Sequence, residues 1–134
     1  MYHYGAKSTE RLAECSSNIQ MVFNEAIKHR DISIFEGYRS NERQQELLDE
    51  DPPKTKLGPG QSKHNQQPSM AVDAVPYPMV ESDWEDREFW VEWTSWLKGF
   101  ASGLGVTLVS GYDWDNDYDL DDQSFYDGPH FEEP

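Results

Sequence analysis

Two short stretches of this 134-residue chain carry side chains suited to holding a metal ion. The first runs Ser62-Lys63-His64-Asn65-Gln66-Gln67-Pro68-Ser69-Met70-Ala71-Val72-Asp73, and the second Asp127-Gly128-Pro129-His130-Phe131-Glu132. Together they offer two imidazoles, His64 and His130, and the carboxylate of Asp73. A further carboxylate, Asp127, stands three positions before the last histidine. Three nitrogen and oxygen ligands that leave a fourth position for water are what a catalytic zinc centre requires. Zinc of this kind activates water near neutral pH, and a free carboxylate beside it can move the proton to a leaving amine. Spacing alone is weak support. Histidines 66 positions apart and a lone Asp-x-x-His are common, so His64 also reads as a loop residue and His130 as a surface one. Asp73 is harder to set aside, because a carboxylate inside an apolar strand needs a cation or hydrogen bonds.

A second acidic feature lies between these stretches. Asp113, Asp115, Asp117, Asp119 and Asp121 alternate through Gly111 to Asp122. Carboxylates at loop positions one, three and five (Asp113, Asp115, Asp117) match the start of a calcium loop. The rest of that signature is missing, with Tyr118 at position six where Gly belongs and Ser124 at position twelve where Glu belongs. A solvated acidic loop is the plainer reading. A Ca2+ site that orders the approach to Asp127 and His130 is the sharper one. Trp114 is expected to pack under this loop, with a wall of a substrate cleft as the other option.

The elements that must position these residues follow from periodicity. Ser8 or Thr9 can cap a helix to about His29, in which Leu12, Cys15, Ile19, Val22, Phe23, Ala26 and Ile27 step by three and four. Cys15 is expected to be an apolar filler within it. Ile32 to Phe35 reads as a strand, and Ser40 can cap a second helix from Asn41 to about Asp49. Lys54 to Gln61 reads as a Gly- and Pro-punctuated loop. Met70 to Val75 is a second strand, and Asp83 opens a third helix with Phe89, Trp93, Trp96, Leu97, Phe100 and Leu104 as its core stripe. Val106 to Val109 and Phe125 to Phe131 complete the strands. Nothing separates two domains, so residues 1–134 are expected to form one.

Composition narrows the partners. Twenty-six acidic against 11 basic residues give a formal net charge of −15, which disfavours nucleic acid and anionic membrane surfaces. A single cysteine excludes an internal disulfide. The N-terminal MYHYGAKSTE shows no apolar signal region, and no run approaches the ~20 apolar residues of a membrane span.

Ser-x-His…Ala-x-Asp, followed far downstream by Asp-x-x-His, resembles the LD/DD-peptidase family of D-alanyl-D-alanine carboxypeptidases and dipeptidases. It looks closest to the short phage endolysins that cut the L-alanyl-D-glutamate bond of peptidoglycan. The order of elements agrees over nearly the whole chain, including Gly37-Tyr38-Arg39-Ser40 and Gly111-Tyr112-Asp113-Trp114. One departure is the eight residues between His64 and Asp73, where the family usually has six. Gln67-Pro68-Ser69 looks like a hairpin tip able to absorb the extra length.

The resemblance implies an α+β fold of the hedgehog/DD-peptidase type, a small antiparallel sheet with helices packed on one side. It implies Zn2+ on His64, Asp73 and His130, with Asp127 as catalytic base. It also implies that Arg39 supports the scissile carbonyl and that Ser62 helps hold a substrate carboxylate. Read from the residues alone, Arg39 would merely cap the second helix or pair with Glu36 or Glu42. The implied substrate is the peptidoglycan stem peptide, and the implied setting is the host bacterial cytoplasm followed by the cell wall at lysis, with a holin-like partner for release and a monomeric enzyme. Alternatives are a D-alanyl-D-alanine carboxypeptidase or dipeptidase, and a non-catalytic zinc-containing binding module like the hedgehog-type relatives.

Overall fold

The computed structural model describes residues 1–123 and 125–134. Among these the chain forms α1 (Ala6–Ala13), α2 (Ser17–Ala26), β1 (Ile32–Glu36), α3 (Asn41–Asp49), β2 (Ala71–Pro76), α4 (Arg87–Gly103), β3 (Val109–Gly111) and β4 (Asp127–Glu132). Two 3-10 turns, Lys63–Asn65 and Glu81–Glu85, precede β2 and α4. The strands pair antiparallel in the order β1-β2-β4-β3. The expected α+β architecture with a small antiparallel sheet is what the chain adopts.

The helices bury their stripes against one side of that sheet. Leu12 of α1, Ile19, Val22 and Phe23 of α2, and Trp90, Trp93 and Leu97 of α4 meet Ile34, Val72, Ala74 and Phe131 in the core. Strand alternation sends Val72 and Ala74 inward and leaves Asp73 on the other face. Across the β2–β4 pairing Asp73 stands directly opposite His130, so strand register itself brings two of the candidate ligands together.

Three elements differ from their periodicity. The first helix is two helices, because Ser69 crosses over the chain at Glu14-Cys15-Ser16. Ser69 N donates to Glu14 O (2.9 Å), and Ser16 N donates to Ser69 O (2.8 Å). Ser16 then caps α2 through its hydroxyl. Ser8 is not a cap; it accepts from Ile34 N at 3.0 Å, and Gly5 occupies the N-cap of α1. Ser69, within the His64–Asp73 segment, thus serves as a strap that fixes the α1–α2 corner. The third helix starts at Arg87 behind the cap Asp86, with Asp83 in the preceding 3-10 turn. Pairing of β3 begins only at Val109, while Val106 and Leu108 sit in the core without partners in the sheet. Gly111 permits this close approach, since a Cβ there would lie 2.0 Å from the Asp127 carbonyl oxygen.

Candidate metal centre and cleft

His64 is carried by the 3-10 turn Lys63–Asn65, which Ser62 caps through its side chain. The buried ring donates from Nδ1 to the Gly37 carbonyl at 2.7 Å. That bond fixes the tautomer and leaves Nε2 as a lone-pair donor. Nε2 lies 3.2 Å from Asp73 Oδ1. From the facing strand, His130 Nδ1 lies 3.3 Å from the same oxygen. All three ligand atoms fall within 4.8 Å of one another. A tetrahedral zinc with bonds of 2.0–2.1 Å separates its ligand atoms by about 3.3 Å, so the donor set matches such an ion in both chemistry and spacing.

Electrostatics in this cluster are strongly shifted. Burial pushes the Asp73 carboxyl up, but the charge and hydrogen bonds of His64 and His130 outweigh it and hold the group well below the usual range. Burial works against a charged His130, yet bonds to Asp73 and Glu132 raise it to about 9. Glu132 accepts from His130 Nε2 at 2.8 Å and is itself met by Lys63 at 3.1 Å. A carboxylate on the outer nitrogen of a metal-ligating histidine orients the ring and raises its basicity.

Asp127 lines the same cleft. Burial first, and then the Asp73 charge, raise its carboxyl to about 6. Arg39 sits beside it with its Nε donating to Glu36 Oε1 (2.6 Å) and Nη1 to Gln44 Oε1 (3.1 Å). Its Nη2 lies 3.7 Å from Asp73 Oδ2. Pairing with Glu36 is therefore real, while Glu42 is not its partner. Ser62 also lines the cleft, its oxygen accepting from His64 N at 3.2 Å. The structure thus brings His64, Asp73, His130, Asp127, Arg39 and Ser62 around one cavity of about 890 Å3.

Several residues of the site carried no signal in the sequence. Gln44, fully buried on an otherwise polar helix, ties Arg39 to the loop by donating to Leu57 O (2.9 Å) and Thr55 Oγ1 (3.2 Å). Glu132 and Lys63 are ordinary surface types whose role appears only in the folded pairing. Trp114, by contrast, was singled out in the sequence, and it takes the second of its two options as a cleft wall: its ring lies 5.0 Å from that of His130 and stacks on Phe125 at 6.1 Å. The PHFE segment was the one readable hint, since Glu132 stands two positions from His130 and shares its face of β4.

The acidic loop also converges, with ligand atoms of Asp113, Asp115 and Asp117 within 4.8 Å. Asp113 is fully buried and already holds a cation, Lys98 Nζ at 2.7 Å. Its oxygens also accept from Asp117 N and Tyr118 N. Ser124, the twelfth position of the calcium reading, lies outside the described residues. Cys15 is buried, and burial pushes its thiol up to about 12, as befits an inert core residue.

Comparison with known proteins bears on the family and the fold. The family model described as phage L-alanyl-D-glutamate peptidase matches residues 1–133. Among curated proteins, none matches the chain by sequence. Among solved structures, the Serratia marcescens L-Ala D-Glu endopeptidase ChiX superposes with a TM-score of 0.69 at 23% identity, covering 98% of this chain and 90% of that one. The LD-carboxypeptidase LdcB superposes with a TM-score of 0.53 at 20% identity, covering 90% of this chain and 57% of its own length. At these identities the two structures speak for the fold, whereas the family match spans all but the last residue: the chain belongs to the phage L-alanyl-D-glutamate peptidase family.

Proposed function

We propose that this peptidase is a zinc-dependent endolysin that hydrolyses the L-alanyl-D-glutamate bond of the peptidoglycan stem peptide. The observation that carries it is the convergence of His64 Nε2, Asp73 Oδ1 and His130 Nδ1 at zinc-ligand spacing in the main cleft. Zinc held there supplies a Lewis acid that activates water and polarises the scissile carbonyl. Asp127, with its carboxyl near 6, is ionised at neutral pH yet basic enough to accept the water's proton. The same carboxyl then passes that proton to the departing amine of D-glutamate. Arg39, aimed by Glu36 and Gln44, donates to the carbonyl oxygen as negative charge builds on it. Ser62 keeps a hydroxyl proton to offer a substrate carboxylate. In the same reading residues 1–134 work as one monomeric domain, and a holin-like partner opens the inner membrane for it.

The test is mass spectrometry of purified peptidoglycan digested by zinc-loaded protein, with a chelated control. Glycan strands ending in lactyl-L-alanine, together with peptides beginning at D-glutamate, are the expected products. Release of terminal D-alanine alone would replace the proposed activity by a carboxypeptidase one. Replacing Asp127 by Ala should abolish turnover, by roughly 10²–10⁴-fold or more, while zinc content stays unchanged.

A further inference from the structure

The cleft of this strongly acidic protein is lined by as many bases as carboxylates, the latter being Glu36, Glu50, Asp73, Asp127 and Glu132. Of 11 Lys and Arg in the chain, five line it: Arg39, Arg43, Lys54, Lys56 and Lys63. Three of these are matched by carboxylates, Arg39 by Glu36, Arg43 by Glu46 and Lys63 by Glu132. Among the described residues, Lys54 and Lys56 have no acidic partner within salt-bridge distance. These two exposed ammonium groups are therefore free to meet an anion that enters the cleft.

Their backbone is held for such a task. Lys54 N donates to Leu47 O at 3.0 Å. The buried Gln44 grips Thr55 and Leu57 on either side of Lys56, while its other end binds Arg39. The Lys56 ammonium lies 5.7 Å from the centre of the Phe125 ring, which stacks on Trp114, which in turn lies against His130. An aromatic wall therefore runs from a candidate metal ligand to the unmatched cations.

The substrate's chemistry says which anion fits. On the acyl side of an L-alanyl-D-glutamate bond, the alanine carboxyl is consumed in the scissile amide and its nitrogen is acylated, so no carboxylate remains. On the amine side, glutamate spends one carboxyl on continuing the peptide and keeps the other free. Every stem-peptide carboxylate thus lies on the departing side. Resting on the function proposed above, we propose that Lys56, supported by Lys54, forms a subsite that binds free carboxylates of the departing peptide. It makes the enzyme discriminate against stem peptides whose carboxylates are primary amides. A charged donor loses a charge-assisted hydrogen bond when its carboxylate partner becomes an amide.

The test compares soluble disaccharide-peptide fragments with free carboxylates against the same fragments converted to primary amides, using the full zinc-loaded chain. The wild type should favour the free acids by about tenfold or more in kcat/KM, chiefly through KM. Lys54→Gln/Lys56→Gln should lose that factor on the acids and leave the amides unchanged, while Lys56→Arg should keep it. Equal wild-type rates on acid and amide, or an equal loss on both in the double variant, would overturn the subsite and leave the peptidase function standing. A wild type that cuts neither fragment would overturn the proposed function and the subsite with it.

Discussion

His130 has both ring nitrogens engaged, one by Asp73 and one by Glu132, and carries a proton at neutral pH because its pKa stands at about 9. A metal can take Nδ1 only by expelling that proton. Metal affinity should therefore strengthen as pH rises from 7 towards 9 and level off above, with up to one proton released per ion at pH 7. Calorimetry in buffers of different ionisation enthalpy checks this; heats that do not depend on the buffer would contradict it. The sign for the metal-free protein is the reverse. A pKa raised from 6.5 to about 9 on folding gives stability that is complete below pH 6.5 and is lost as pH climbs through 9. Glu132→Gln should weaken zinc binding by about 10–100-fold, read by competition with a chelating dye, with the fold intact. The three candidate ligands were legible in the sequence only through the family pattern. Glu132 was hinted at only by standing two positions from His130, and Lys63 and Gln44 were not legible, because their partners lie 69 and 5 positions away and only the folded pairing identifies them.

At the scale of elements, α4 and the acidic loop are joined by an exposed pair, Arg87–Asp121, and by a buried one, Lys98–Asp113, with side chains 4% and 0% exposed. The Lys98 ammonium also lies 4.1 Å from the Tyr118 ring centre. Lys98→Ala strands a buried carboxylate and should destabilise the protein by about 3–5 kcal/mol, measured by urea unfolding. Double replacement with Asp113→Ala should recover part of that loss, because no lone charge is left inside. The break between α1 and α2 yields a smaller expectation: Ser16→Ala removes the cap and should lower stability by about 1 kcal/mol. Periodicity described the apolar stripe across this break correctly and still missed the break. Its cause is Ser69, more than 50 positions away, pairing with backbone at Glu14 and Ser16. The β3 start was missed for a similar reason, since Val106 and Leu108 are apolar through core packing and not through strand pairing.

For the whole molecule, the net charge of −15 and the two unmatched lysines of the cleft act over different distances. Intact wall material is a polyanion and meets the full charge of the protein, whereas a small soluble fragment feels mainly the cleft. Raising ionic strength from about 10 to 100 mM shortens the screening length from about 30 to 10 Å. Clearing of purified wall should therefore speed up several-fold, while cleavage of soluble acidic fragments slows. Turbidity and product chromatography read the two separately; parallel responses would show that the overall charge has no such effect. This division was half legible, because composition reports the excess of acid but not where the few bases gather. The order of strands in the sheet has a consequence for manufacture. The last strand of the described residues, β4, is inserted between β2 and β3, and it brings His130 and Asp127 with it. A product of interrupted translation or clipping that lacks it loses two residues of the proposed site and bares the edges of β2 and β3 that it paired. Under the proposed function such pieces are expected to clump and to leave the wall uncut, so only chains that include β4 count as active agent.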